Sequence, residues 1–166
     1  MTKVRNVVIA GLGGQGVLKA SDILAGAAFL AGFDVKKSEL HGMSQRGGSV
    51  SSDVRFGDRV LSPMVPTGEA DLLLVLEETQ VDINRYVLRP GGCLIGPDVL
   101  APQQLKKRKS LNVALLGAAS TVLDIPEEHW LASMRTHLAE KLHAMNEQAF
   151  ALGRAAARRG APASSS

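Results

Sequence analysis

Two glycine-rich stretches hold most of the residue types in this 166-residue chain that could do chemistry. The first, Gly11-Leu12-Gly13-Gly14-Gln15-Gly16, satisfies the G-x-G-x-x-G spacing, in which turn glycines bring helix N-terminal amides close to a pyrophosphate. Gly14 adds room for a close approach, and the Gln15 amide offers both a donor and an acceptor. The second stretch, Glu39 to Val50, concentrates His41, Met43, Ser44, Gln45 and Arg46 between Gly42, Gly47 and Gly48. An imidazole there can exchange a proton, a guanidinium can grip a carboxylate or phosphate, and the glycines let backbone approach a ligand. The alternative is structural: Gln45 and Arg46 bonded to a partner's backbone, and the first stretch a tight turn at a subunit contact.

These residues must be carried by alternating strands and helices. Val7 to Ala10 is a short apolar run ending in the first glycine stretch, after which Val17, Ile23, Leu24, Ala27, Ala28 and Leu30 recur at helical spacing up to Gly32. The pattern predicts strand, glycine turn and helix, with Gly32 at the helix C-terminus. Phe33 to Lys37 reads as a second strand and Ser38 to Gly48 as a loop. Val50, Val54 and Phe56 alternate with polar residues, predicting a hairpin with a second strand around Val60. Asp71 to Leu76 and Cys93 to Ile95 read as buried strands flanking a helix over Glu77 to Leu88. Asp98 to Ser110, with the basic run Lys106 to Lys109, reads as a surface connection. Leu111 to Leu123 reads as a buried helix. Asp124 and Pro126 open a last helical region, in one or two pieces, to about Arg158. The expected fold is an α/β, Rossmann-like three-layer domain over residues 1–159, with a mixed, mostly parallel sheet, a C-terminal helical segment and a frayed tail from 160 to 166.

Composition narrows the function. The chain has 19 basic and 16 acidic residues, a net +3, and 4% aromatics, which is neither the charge nor the stacking surface of a nucleic-acid binder. One cysteine, Cys93, cannot form an internal disulfide or ligate an iron–sulfur cluster, so any redox metal belongs to another chain. Cys93 itself reads as a buried small hydrophobe, and His129, His137 and His143 as surface or interface residues. No apolar run approaches the about 20 residues of a membrane span, and no leader precedes the first strand, so a cytoplasmic location without membrane contact is expected. A dinucleotide site would also want an acid at the end of the second strand; Asp34 falls near its start and Glu39 in the loop beyond.

Several strings together resemble one family. They are Gly11 to Val17, His41 to Val50, Val54-Arg55-Phe56-Gly57, Ser62-Pro63, Gly68-Glu69-Ala70-Asp71 and Asn112 to Gly117, with Asn146, Ala149, Phe150 and Gly153 near the end. In this order they resemble the gamma component of 2-oxoacid:ferredoxin oxidoreductases, and within it the small subunit of the indolepyruvate-directed enzymes. The connection between Gly92 and Leu111 is shorter than the family's, which implies a missing peripheral helix. The resemblance implies a complex with thiamine diphosphate and Mg, 4Fe–4S clusters and coenzyme A. It implies that the complex turns a 2-oxoacid, an arylpyruvate such as indolepyruvate in that branch, into acyl-coenzyme A and carbon dioxide, with electrons going to ferredoxin or another acceptor. The cofactors then lie on a large partner subunit, and this chain is inactive alone. His41 and Arg46 are implied at substrate or coenzyme A, with Met43, Ser44, Gln45, Gly47 and Gly48 as their loop. Gly11, Gly13, Gly14, Gln15 and Gly16 are implied at coenzyme A phosphates or the partner. A free-standing NAD enzyme and a purely structural assembly module are the competing readings.

Overall fold

A computed structural model of the chain describes residues 3–41, 48–101, 104–105 and 107–160. Five strands form one sheet in the order β2-β3-β1-β4-β5. Strand β1 (Arg5–Leu12) runs into helix α1 (Val17–Leu30), which returns the chain to β2 (Asp34–His41) and then β3 (Ser49–Gly57). Strand β4 (Ala70–Val75) leads through a short turn of helix, α2 (Val81–Asn84), to β5 (Leu88–Ile95). Helices α3 (Leu111–Ala119), α4 (Glu127–His137) and α5 (His143–Gly160) complete the described chain. β1 pairs parallel with β4, and β4 with β5, while β3 pairs antiparallel with both β1 and β2. The sheet is mixed, divided evenly between parallel and antiparallel pairings.

Side-chain alternation sorts the sheet into two unequal faces. Val7, Ile9, Val54, Phe56, Leu72 and Leu74 point to the main core, which α1, α3, α4 and α5 cover with Ile23, Leu24, Leu115, Leu116, Trp130 and Phe150. The opposite face carries only Val8, Ala10, Ala70, Leu73 and Val75, with Val81 above them and Val65, Val87, Leu88 and Leu94 alongside. The three layers are present, but the third is thin. Close approach builds the thick layer: a Cβ at Gly117 would strike the carbonyl of Phe150, and one at Gly153 the carbonyl of Ala114, so α3 and α5 cross backbone to backbone. Gly32, at φ +94°, ends α1 as its position predicts.

Three local expectations are corrected. Val60 belongs to no strand, because β3 already has β1 and β2 on its two edges and the Val60 N–H donates instead to the Asp34 carboxylate at 2.7 Å. The hairpin is β2–β3, so β2 continues to His41 where a loop from Ser38 was expected. Residues 78–87 form two 3₁₀ turns around α2 rather than one helix. β-branched Thr79, Val81, Ile83 and Val87 weaken helix propensity there, and the Asn84 side chain occupies the Gln80 carbonyl at 2.7 Å. The C-terminal region is two helices, and α4 starts after Pro126 rather than at Asp124. In the expected surface connection, Leu100 and Ser110 are buried, and Cys93 is half-buried rather than buried.

Candidate functional site

The chain leaves β1 through a loop that only glycine accommodates. Gly14 and Gly16 sit at φ +89° and +85°, and Gly16 is the N-cap of α1. Gly11 lies at the end of the strand, where a Cβ would come within 2.9 Å of both Gln15 Oε1 and Val17 Cγ2. Among the described residues, a Cβ on Gly14 would meet nothing within 4 Å. Gln15 is not free to serve a ligand with its whole amide. Its Oε1 accepts the Leu12 N–H at 2.7 Å, and its Nε2 donates to the Glu77 carboxylate at 2.7 Å. Asn112, at the start of α3, closes the other side by donating from Nδ2 to the Gly16 carbonyl at 3.2 Å.

Strand register brings the two glycine stretches together. Leu12 pairs with Ser49, and His41 with Val50, so the ends of β1 and β2 and the start of β3 share one edge of the fold. There the Gly13 N–H donates to the Gly48 carbonyl at 2.8 Å. His41 is described as the last residue of β2 by its backbone; its side chain, and Met43, Ser44, Gln45, Arg46 and Gly47, lie outside the described residues. β4 ends at the same edge and delivers Glu77. From the neighbouring parallel strands β1 and β4, the chain departs to opposite faces, α1 to the thick layer and residues 78–87 to the thin one. A crevice at such a divergence is where open α/β sheets hold ligands.

Two open cavities flank the loop. One, of about 420 Å³, is bounded by Gly14, Gln15, Gly16, Leu76, Arg108 and Lys109. The other, of about 460 Å³, lies between the loop, Lys19 and Val50. Arg108 and Lys109 are exposed and make no ion pair with a carboxylate among the described residues. With the uncapped N-terminus of α1, which has no acid in its first turn, they give the first cavity a positive wall. Glu77 is the residue that sequence reasoning missed. Its one signal was a carboxylate directly after a buried strand, which is common outside sites as well.

The geometry does not serve a nicotinamide dinucleotide. β3 lies between β1 and β2, so the end of β2 is not beside the glycine loop as a ribose-gripping acid requires. Asp34 accepts the Val60 N–H, and Glu39 pairs with Lys37 at 2.7 Å. The Gly13 and Gln15 N–H groups are already spent on Gly48 and Leu12. Among the described residues no three His, Cys, Asp or Glu side chains converge as metal ligands. Burial pushes the Cys93 thiol above its ordinary pKa, which disfavours the thiolate a cluster would need. His137 and His143 bond to the carbonyls of Ser133 and Leu138, at 2.9 and 2.8 Å, within the helical layer. No helix among the described residues is long and apolar enough to cross a membrane.

Other strings of the expected family pattern have a structural task at the far end of the sheet. Arg55 donates to Asn6 Oδ1 at 2.8 Å and to the Ser62 carbonyl at 2.8 Å. Asp71 accepts the Asn6 N–H at 2.8 Å and Arg89 at 2.7 Å. They tie β1, β3, β4 and β5 together away from the crevice.

The chain is 41% identical over 143 residues to the indolepyruvate oxidoreductase subunit IorB of Pyrococcus horikoshii, covering 84% of this chain and 68% of that one. It is 34% identical to the subunit of the same name from Methanothermobacter thermautotrophicus, covering 92% and 97%. Among solved structures, 99% of the chain superposes with a TM-score of 0.84 on 33% of the 2-oxoglutarate:ferredoxin oxidoreductase chain of Magnetococcus marinus, a likeness of fold at 21% identity. Residues 6–102, from β1 through β5 and the glycine crevice, match the family model described as pyruvate ferredoxin/flavodoxin oxidoreductase, and the chain belongs to that family.

Proposed function

We propose that this chain is the small subunit of an indolepyruvate:ferredoxin oxidoreductase, and that it completes the active-site cavity of a partner carrying the cofactors. The observation that carries this reading is the Gly13–Gly48 hydrogen bond. It joins the glycine loop to the segment bearing His41 and Arg46, in a chain 41% identical to an indolepyruvate oxidoreductase subunit. The complex oxidatively decarboxylates the 2-oxoacid and passes the acyl group to coenzyme A and the electrons to ferredoxin. Thiamine diphosphate with Mg and 4Fe–4S clusters would supply the carbanion and electron chemistry on the partner; this chain has one cysteine, too few to ligate a cluster.

This chain's own residues bind and orient. Arg46 pairs with the anionic end of substrate or coenzyme A, and His41 holds a proton beside it, with Met43, Ser44, Gln45, Gly47 and Gly48 shaping the loop. Gly14 and Gly16, with Arg108 and Lys109, receive phosphates of coenzyme A at the positive wall. The Gln15–Glu77 bond ties the glycine loop to the segment that follows β4.

The test is co-expression with the large subunit, followed by indolepyruvate- and coenzyme A-dependent reduction of ferredoxin. Arg46→Gln should assemble normally yet lose about tenfold or more in kcat/KM, the equivalent of one charge-assisted hydrogen bond. Unchanged kinetics in a fully assembled Arg46→Gln complex would refute the assignment of that residue.

A further inference from the structure

An ionised carboxylate accepts hydrogen bonds and cannot donate one, and that asymmetry bears on the glycine loop. Gln15 folds its side chain back over the end of β1: Oε1 accepts the Leu12 N–H and Nε2 donates to Glu77 Oε2, both at 2.7 Å. Turning the amide over would set its oxygen against the Glu77 carboxylate and its NH2 group against the Leu12 N–H. Two attractive contacts would become two repulsive ones, so Glu77 leaves the amide one orientation. The space it fills is reserved at Gly11, where a Cβ would come within 2.9 Å of Gln15 Oε1. The same turn is closed a second time by the Gln15 N–H, which donates to the Leu12 carbonyl at 3.2 Å.

Glu77 can act as an anchor because its own backbone is held on both sides. Before it, the Leu76 N–H donates to the Ala10 carbonyl at 2.9 Å, which extends the pairing of β1 with β4 beyond the end of β4. After it, the Glu77 carbonyl accepts the Gln80 N–H at 2.9 Å, and Gln80 Oε1 accepts from Ser49 Oγ at 2.8 Å. Ser49 is the register partner of Leu12, so contacts through Gln15, Glu77, Gln80 and Ser49 close a ring around the strand ends. Gln15 in turn stands between Gly14 and Gly16, whose φ values of +89° and +85° are the most permissive backbone in the loop. It also lines the cavity that Arg108 and Lys109 bound. A hydrogen bond to a half-buried carboxylate is stronger than one between neutral groups, which suits it to holding such a loop in one shape.

We infer that Glu77 is a positioning residue for coenzyme A: by fixing the Gln15 amide it holds the glycine loop in the shape that receives the phosphates. This rests on the proposed coenzyme A site at the loop. Glu77 touches no part of the ligand in this assignment and acts through Gln15.

The test uses the full chain in complex with the large subunit. Glu77→Ala should raise the KM for coenzyme A about tenfold, the equivalent of one charge-assisted hydrogen bond, and leave kcat at saturating coenzyme A within about twofold of the parent. Gln15→Glu sets two carboxylates against each other and should raise that KM at least as far. Combining Gln15→Glu with Glu77→Gln restores one carboxylate and one amide, with the carboxylate now accepting both the Leu12 N–H and the amide. This swapped pair should return the KM to within about threefold of the parent, whereas a loss of packing alone is not reversed by swapping the two groups. Should Glu77→Ala fail to assemble, Gln15→Glu against the swapped pair makes the same comparison. Hydrogen exchange measured without coenzyme A gives a readout besides turnover: residues 12–17 should exchange faster in Glu77→Ala and at the parent rate in the swapped pair. Unchanged hydrogen exchange over 12–17 in Glu77→Ala, or a swapped pair as impaired as the single variants, overturns the inference and leaves the coenzyme A site standing. If the loop loosens in the single variants while the KM for coenzyme A stays at the parent value throughout, the coenzyme A reading fails and the inference with it.

Discussion

Asp53 illustrates how single residues on this sheet are committed to architecture rather than catalysis. Burial raises its carboxyl above the ordinary 3.8, against the opposing pull of the Val65 N–H and the Arg55 guanidinium. A folded-state pKa above the unfolded one means the folded protein holds the proton longer. The stability linked to that proton is full below about 3.8 and is lost as the pH rises through the raised value. Asp53→Asn should therefore remove the fall in melting temperature that this group contributes as the pH rises through that acidic window, and change stability at neutral pH by less than about 1 kcal/mol, since the amide oxygen can still accept from Val65. Thermal melts of both proteins from pH 3 to about pH 7 check this. Lys37 is the contrasting case: partial burial opposes its charge, yet Asp22 and Glu39 at 2.5 and 2.7 Å outweigh that and hold its pKa up.

At the scale of elements, the tightest joint in the molecule is the crossing of α3 and α5. Asn112 projects from the start of α3 to the Gly16 carbonyl, so the position of α3 bears directly on the glycine loop. Gly117 and Gly153 make the crossing possible, because any Cβ there meets backbone that cannot swing aside. Gly153→Ala should cost about 2–3 kcal/mol by overpacking, or roughly 5–10 °C in melting temperature, despite alanine's better helix propensity. A melting temperature equal to or above the parent's would show that α5 can shift without cost. Much of this level was readable beforehand. The apolar, β-branched run of β1, the glycine turn and the alanine-rich α1 were legible because local pattern and tertiary position agree. The continuous helix over 77–88 and the strand at Val60 were not, because a side-chain hydrogen bond and a pair of already occupied strand edges overrode local propensity.

At the scale of the whole molecule, the basic run Lys106 to Lys109 is read as steering an acidic ferredoxin, as holding coenzyme A, or as only a solvated surface loop. Arg108 and Lys109 line the cavity beside the glycine loop, which favours the second. Replacing Lys107, Arg108 and Lys109 together by glutamine should raise the KM for coenzyme A about tenfold, equally with ferredoxin and with a viologen acceptor. If instead only the ferredoxin rate changes and its dependence on ionic strength flattens, the run steers the acceptor.

The amino-acid sequence by itself determined the kind of molecule: an α/β module of one family, recognisable from the two glycine stretches, with too few thiols to carry a cluster. Those features are local in the chain, so they are visible without the fold. Tertiary structure alone decided the rest. It inserted β3 between β1 and β2, which removes the dinucleotide geometry that G-x-G-x-x-G advertises, and it set Gly48 against Gly13 and Glu77 against Gln15. It also left Leu40, Leu61, Met64, Ile83 and Tyr86 outside the core. Strand order and the choice of buried face depend on contacts between residues far apart in the chain, and no spacing within a motif encodes them.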